Sequence, residues 1–250
     1  MRHLMKALFF LTVLALLPVH RSAHAQAVRS PAEVLGYELG ERFTTVAAIH
    51  HYLNGLAEAS DLVSVHPYGE SYEGRPLIQV LVASPAHRAR LEEILDLNRE
   101  LTDPETSQER AREIIRTNPA VVYISYGVHG NEASSPEAAI WTAYDLARGA
   151  EDVGWALDSV LVVIDPAVNP DGRARYVTQF RQLRGMEPNP NGATGEHRAS
   201  GGRTNHYGFD LNRDWAWASQ VETQLRLATW DRWKELDDRL REAERDWDDE

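Results

Sequence analysis

The chain has 250 residues, 43% hydrophobic and 26% charged, which is enough for one sizeable α/β domain and too little to require two. A net charge of −12 argues against nucleic acid or an anionic membrane as a partner. Cysteine is absent, so disulfides, thiolate nucleophiles and thiolate zinc ligands are excluded, and any metal must be held by His, Asp or Glu.

The first residues have the layout of a secretory signal peptide. Arg2 and Lys6 make a positive start, Ala7 to Leu17 is apolar apart from Thr12, and Ala23-His24-Ala25 offers a small-residue cleavage site. The apolar run is well short of the ~20 residues that span a bilayer. Cleavage after residue 25 would remove Arg2, Lys6 and Arg21 and leave a mature chain of net charge −15, secreted or periplasmic.

Residues 26–43 read as an extended lead. Thr44 or Thr45 can cap a helix in which Val46, Ile49, Leu53 and Leu56 recur at helical spacing. Leu62 to Tyr68 and Leu77 to Ala83 read as strands, separated by the turn-rich stretch Gly69-Glu70-Ser71-Tyr72-Glu73-Gly74-Arg75-Pro76. Ser84-Pro85 opens a helix through about Glu100, and a charged helix covers roughly Ser107 to Thr117. Val121 to Tyr126 is apolar enough for a strand buried on both faces. Ser134 and Glu137 have capping-box spacing at the head of the next helix, which Gly149 ends. Val160 to Asp165 is a second buried strand. This order predicts a mixed, largely parallel α/β sheet with helices on both faces.

Residues 185–209 are rich in Gly, Asn and Pro and lack periodicity. Loops this long inside a domain are often functional, with a disordered excursion as the alternative. Fifteen of the twenty residues from Asp231 to Glu250 are charged, while Trp233, Leu236, Leu240, Ala243 and Trp247 keep a helical stripe, which predicts a charged helical tail over 234–250. The expected division is therefore 1–25 signal peptide, 26–233 domain and 234–250 tail.

Three short patterns could carry chemistry. His129-Gly130-Asn131-Glu132 follows the first buried strand, where a turn can aim an imidazole and a carboxylate at one point. Asn169-Pro170-Asp171-Gly172 follows the second strand and, taken singly, reads as a turn. In Phe209-Asp210-Leu211-Asn212-Arg213-Asp214, adjacent Asn and Arg could form a fork of donors for a carboxylate, though a surface salt bridge would account for them as well.

Together and in this order the three patterns resemble the H-x-x-E, N-P-D-G and D-L-N-R motifs of the zinc carboxypeptidase family. The G-x-S-x-E-G-R stretch from Gly69 to Arg75 resembles the segment entering that fold, and the likeness runs from about Pro31 to Trp233. The resemblance implies a Zn2+ enzyme acting on peptide or protein C-termini. In it His129 and Glu132 match the first two metal ligands. Arg184 matches the catalytic arginine that polarises the scissile carbonyl, with Arg181 a weaker claimant. Asn212 and Arg213 match the pair that grips the substrate carboxylate.

Two departures qualify the likeness. Asn131 stands where the digestive members carry Arg, as bacterial members commonly do, which puts one secondary substrate contact in doubt. More seriously, the family takes its third ligand, a His, from a strand beyond D-L-N-R and its general-base Glu from further on. No histidine follows His206 here, and His197 and His206 both precede the motif. The domain is therefore expected to be C-terminally incomplete and this chain inactive. Two other functions remain open: a non-catalytic exported domain that binds peptide ends, and a zinc amidase or deacylase of small N-acyl amino acids. The sequence carries no signal for oligomeric state.

Overall fold

In a computed structural model, the chain is described over residues 28–149, 154–184 and 201–234. The expected signal peptide, most of the long loop and the tail beyond Lys234 lie outside the described residues.

Among the described residues four strands form one mixed sheet, in the order β1 (Val63–Glu70), β2 (Pro76–Val82), β4 (Val160–Asp165), β3 (Ala120–Ser125). β1 and β2 are an antiparallel hairpin, β2 is antiparallel to β4, and β3 runs parallel to β4. The sheet is mixed as expected, and among the described residues its parallel part is the β3/β4 pair, because the hairpin brings β2 back against β4. Side chains alternate between two cores, as period 2 requires. Val80, Val82, Val162 and Ile164 face one core, and Leu81, Ala83, Leu161 and Val163 face the other.

Helices cover both faces. α2 (Val46–Ala59) and α6 (Ser135–Ala147) bury Ile49, Leu53, Leu56, Ala139, Ile140 and Ala143 in the first core. Full burial of each Leu or Ile among these contributes about 1.5–3 kcal/mol. The second core receives Ile94 and Leu95. These come from α4 (Leu91–Thr102), beside which lies α5 (Gln108–Thr117). α8 (Val221–Lys234) packs on α4 and β1. The α2 cap is Thr45, whose side chain accepts from Ala48 N.

Several local expectations change. The extended lead contains a five-residue helix, α1 (Pro31–Leu35), because Ser30 and Glu33 close a reciprocal capping box around Pro31. The helix expected from Ser84 to Glu100 breaks at Arg90 into α3 (Pro85–Ala89) and α4. β3 is not buried on both faces: Val122 is 39% exposed, since β3 has only β4 beside it among the described strands. Ser134 makes no side-chain cap. Its expected partner Glu137 is instead drawn inward by Thr44, whose backbone N–H and hydroxyl both donate to it.

Candidate active site

The three sequence patterns meet beyond the C-terminal ends of the parallel strands. β3 runs out through Gly127, which adopts φ +65°, into the turn that carries His129 and Glu132. β4 runs out through Asn169 into α7 (Pro170–Arg184). The Asn169 side chain accepts from Gly172 N at 2.8 Å and donates to Arg203 O at 3.2 Å, so N-P-D-G is a helix start tied to the following loop.

Glycine is required where the two turns touch. A Cβ on Gly130 would lie 2.1 Å from Arg173 N, backbone against backbone, and one on Gly172 would lie 2.4 Å from Gly202 O. No rotamer relieves such contacts. The glycines of the first two patterns thus let the His129 turn, the head of α7 and the 201–204 loop share one place.

The G-x-S-x-E-G-R segment joins the same unit. Asp171, fully buried, accepts from Ser71 Oγ at 2.6 Å, Arg75 Nη1 at 2.7 Å and Glu73 N at 3.2 Å. Two patterns a hundred residues apart are therefore one hydrogen-bonded cluster, and all its donors find a charged acceptor.

His129 is 6% exposed and lies between two carboxylates. Its Nδ1 is 2.8 Å from Glu132 Oε1, and its Nε2 is 2.9 Å from Asp210 Oδ1. A neutral imidazole carries one proton; placed on Nε2 toward Asp210, it leaves the Nδ1 lone pair 2.8 Å from Glu132 Oε1, near enough for the two donors to share one ion. Burial works to raise the Asp210 carboxyl, but hydrogen bonds from His129, Arg203 and Asn212 N outweigh it and hold that group below the usual carboxylate range. Asp210 was not singled out from the sequence. Its signal was its place at the head of the D-L-N-R pattern.

Asp210 also caps the 3-10 turn Leu211–Arg213 by accepting from Asn212 N at 2.9 Å. This turn puts Asn212 and Arg213 on the surface beside the His129 site. Arg213 Nη1 reaches only the neighbouring Asn212 O, at 3.3 Å, and makes no ion pair among the described residues. Arg184 is the last residue of α7, and its side chain lies outside the described residues, as does His197. His206 is turned elsewhere, with Nδ1 3.1 Å from Glu73 Oε1.

As a seat for zinc this donor set fits in part. The imidazole and carboxylate suit the metal and converge, while among the described residues no group of three His, Asp or Glu could hold an ion. No helix among those residues is long and apolar enough to cross a membrane.

The sequence model of the zinc carboxypeptidase family matches residues 49–235. No curated protein matches. Similar solved structures include a metallo-carboxypeptidase from Burkholderia cenocepacia, 19% identical, with 72% of this chain and 36% of that one covered at a TM-score of 0.46. Another is the carboxypeptidase A from Helicoverpa armigera, 14% identical, with 80% and 47% covered at a TM-score of 0.45. This chain thus spans about a third to a half of the length of these proteins. The family match covers most of the chain and includes all three patterns, so the protein belongs to the zinc carboxypeptidase family.

Proposed function

We propose that this chain carries the substrate-anchoring part of a zinc metallocarboxypeptidase site. His129 and Glu132 are two of its metal ligands, and Asn212 with Arg213 is its clamp for a C-terminal carboxylate. The observation that carries the reading is the double use of Asp210. One oxygen, Oδ1, takes the His129 Nε2 contact and also caps the turn that presents Asn212 and Arg213. Metal seat and clamp are thereby held in fixed relation.

The roles follow from the side chains. Arg213, exposed and without an ion pair among the described residues, offers the planar donor fork that suits a carboxylate. A chain end carries that charge and a chain middle does not, so the clamp selects ends. Asp210 holds the His129 tautomer, and Glu132 supplies the anionic donor. Zinc, when bound, supplies Lewis-acid polarisation and lowers the pKa of a bound water to about 7. Arg184 is assigned to the substrate carbonyl by the family resemblance. Export through residues 1–25 belongs to the same reading.

Two protein donors leave at least two positions on the ion to water, so zinc should bind weakly and this chain alone should not turn over peptides. The test is calorimetric titration of the mature chain with zinc, together with binding of a mixed tetrapeptide pool carrying free or amidated C-termini. His129→Ala should abolish the weak zinc heat, and Arg213→Ala should abolish the preference for free acids. Tight stoichiometric zinc with peptide turnover would refute the two-ligand reading. A free-acid preference with no zinc heat at all would favour a non-catalytic binder of peptide ends.

A further inference from the structure

We propose that Trp215 is a positioning residue for the clamp, fixing which edge of the Asn212 amide meets a ligand. The inference rests on the clamp reading of Asn212 and Arg213.

An asparagine side chain has two edges of opposite character. Its NH2 donates to a carboxylate, whereas its carbonyl oxygen repels one. On an exposed turn the amide could present either, so a clamp needs something to decide. Trp215 Nε1 lies 3.2 Å from Asn212 Oδ1. An indole N–H can only donate, so the atom facing it must be the carbonyl oxygen. The NH2 is then turned away from the ring, and among the described residues no group accepts from it. The backbone beneath is already fixed, because Asn212 N donates to Asp210 Oδ1.

The indole is itself held from the interior. The Arg226 guanidinium lies over its ring at 3.9 Å, and Arg226, in α8, is wholly buried. A cation on a ring face restrains the plane of the indole without using its N–H. A line of contacts therefore runs from a buried cation through the ring to the amide.

The test uses the full mature chain and the same tetrapeptide pool. Trp215→Phe keeps an aromatic ring for Arg226 and removes the N–H together with the pyrrole ring that bears it. We expect free-acid peptides to bind about tenfold more weakly, the scale of one lost hydrogen-bond contribution. Amidated peptides should bind as before, and Tm should stay close to the native value. Asn212→Ala alone should cost as much as Asn212→Ala combined with Trp215→Phe, because Trp215 acts only through that amide. Additive losses would overturn the proposal. Arg213→Ala separates this inference from the reading beneath it. If Arg213→Ala loses the free-acid preference while Trp215→Phe keeps native affinity, the inference alone fails; if Arg213→Ala keeps the preference, both fail. A second measurement does not depend on Trp215→Phe folding: in NMR spectra, the Trp215 indole N–H resonance should move in Asn212→Ala. An unmoved resonance would overturn the proposal.

Discussion

Among the described residues two arginines are completely buried, and they are treated in opposite ways. Arg173, in α7, is 1% exposed and engages each of its three side-chain nitrogens: Nε on Thr44 O at 3.2 Å, Nη1 on Ala133 O at 3.1 Å and Nη2 on Glu137 Oε1 at 2.7 Å. Arg226, in α8, is 0% exposed, and none of its three side-chain nitrogens has a hydrogen-bond partner among the described residues. It has the Trp215 ring face and the field of Asp165. Nearby, Glu222 is 1% exposed, with Oε1 likewise unpartnered among those residues and its carboxyl raised by burial. The region around the His129 turn is thus closed electrostatically, while the region around the head of α8 is not. Burial alone says little about what a charge does for a fold; its partners decide.

Replacing Arg173 with Met should give the largest stability effect. It strips the Glu137 carboxylate of its cation and leaves it buried with the Thr44 donors alone. Breaking such a pair costs about 3–5 kcal/mol. Arg173 also ties Ala133, next to the His129 turn, to Thr44, so under the proposed function the variant should lose its zinc heat as well. Urea unfolding measures the first effect, and a companion Glu137→Gln should recover part of it. A loss below 1 kcal/mol would show that the closed region is not held by this pair.

Much of this architecture was legible in the sequence, and the part that was not shares one physical character. β4 has the bounds that its apolar run predicts, and α2 starts after one of the two threonines proposed as its cap. Both depend on local pattern. The Ser134 capping box fails because Glu137 is claimed by Thr44 and Arg173, which no local rule brings near. The role of Asp210 depends on an imidazole 81 residues earlier. The three motifs could be placed in order, but the glycine contact between Gly130 and Arg173 that brings two of them together could not be read from spacing.

The second effect is on pH dependence, and it probes the open region. Asp165 ends β4, wholly buried, and accepts from Tyr68 at 2.8 Å and Tyr123 at 3.3 Å. Burial raises its pKa from 3.8 to about 6, despite the Tyr68 bond, the Arg226 charge and the Tyr123 bond, which all pull it down. The folded state therefore holds a proton that the unfolded state has released. Its contribution is fully present below about pH 4 and is lost as the pH rises toward 6, by about 3 kcal/mol at 1.36 kcal/mol per unit. Asp165→Asn should remove that falling limb. Urea midpoints from pH 4 to 7 for both proteins measure the difference, and parallel profiles would show that Asp165 titrates normally.

The smallest expected change is the sharpest test of the comparison. Arg226→Met removes a cation of the same burial as Arg173 and puts an apolar chain of similar reach in its place. No hydrogen bond among the described residues is lost, and the desolvation cost of an unpaired guanidinium is relieved. Against that stand the stacking on Trp215, worth about 2 kcal/mol when desolvated, and the attraction to Asp165. These oppose each other, so stability should stay within about 1 kcal/mol of the native value near pH 5, where Asp165 is mostly protonated and little attraction is lost. Above pH 7 the variant should fall behind, because the Asp165 carboxylate then lacks the Arg226 charge. The Asp165 titration should accordingly move higher still, and the gap between the two proteins should widen with pH. A loss of 3 kcal/mol or more at pH 5 would mean that Arg226 is held as firmly as Arg173, and the contrast between the two regions would collapse.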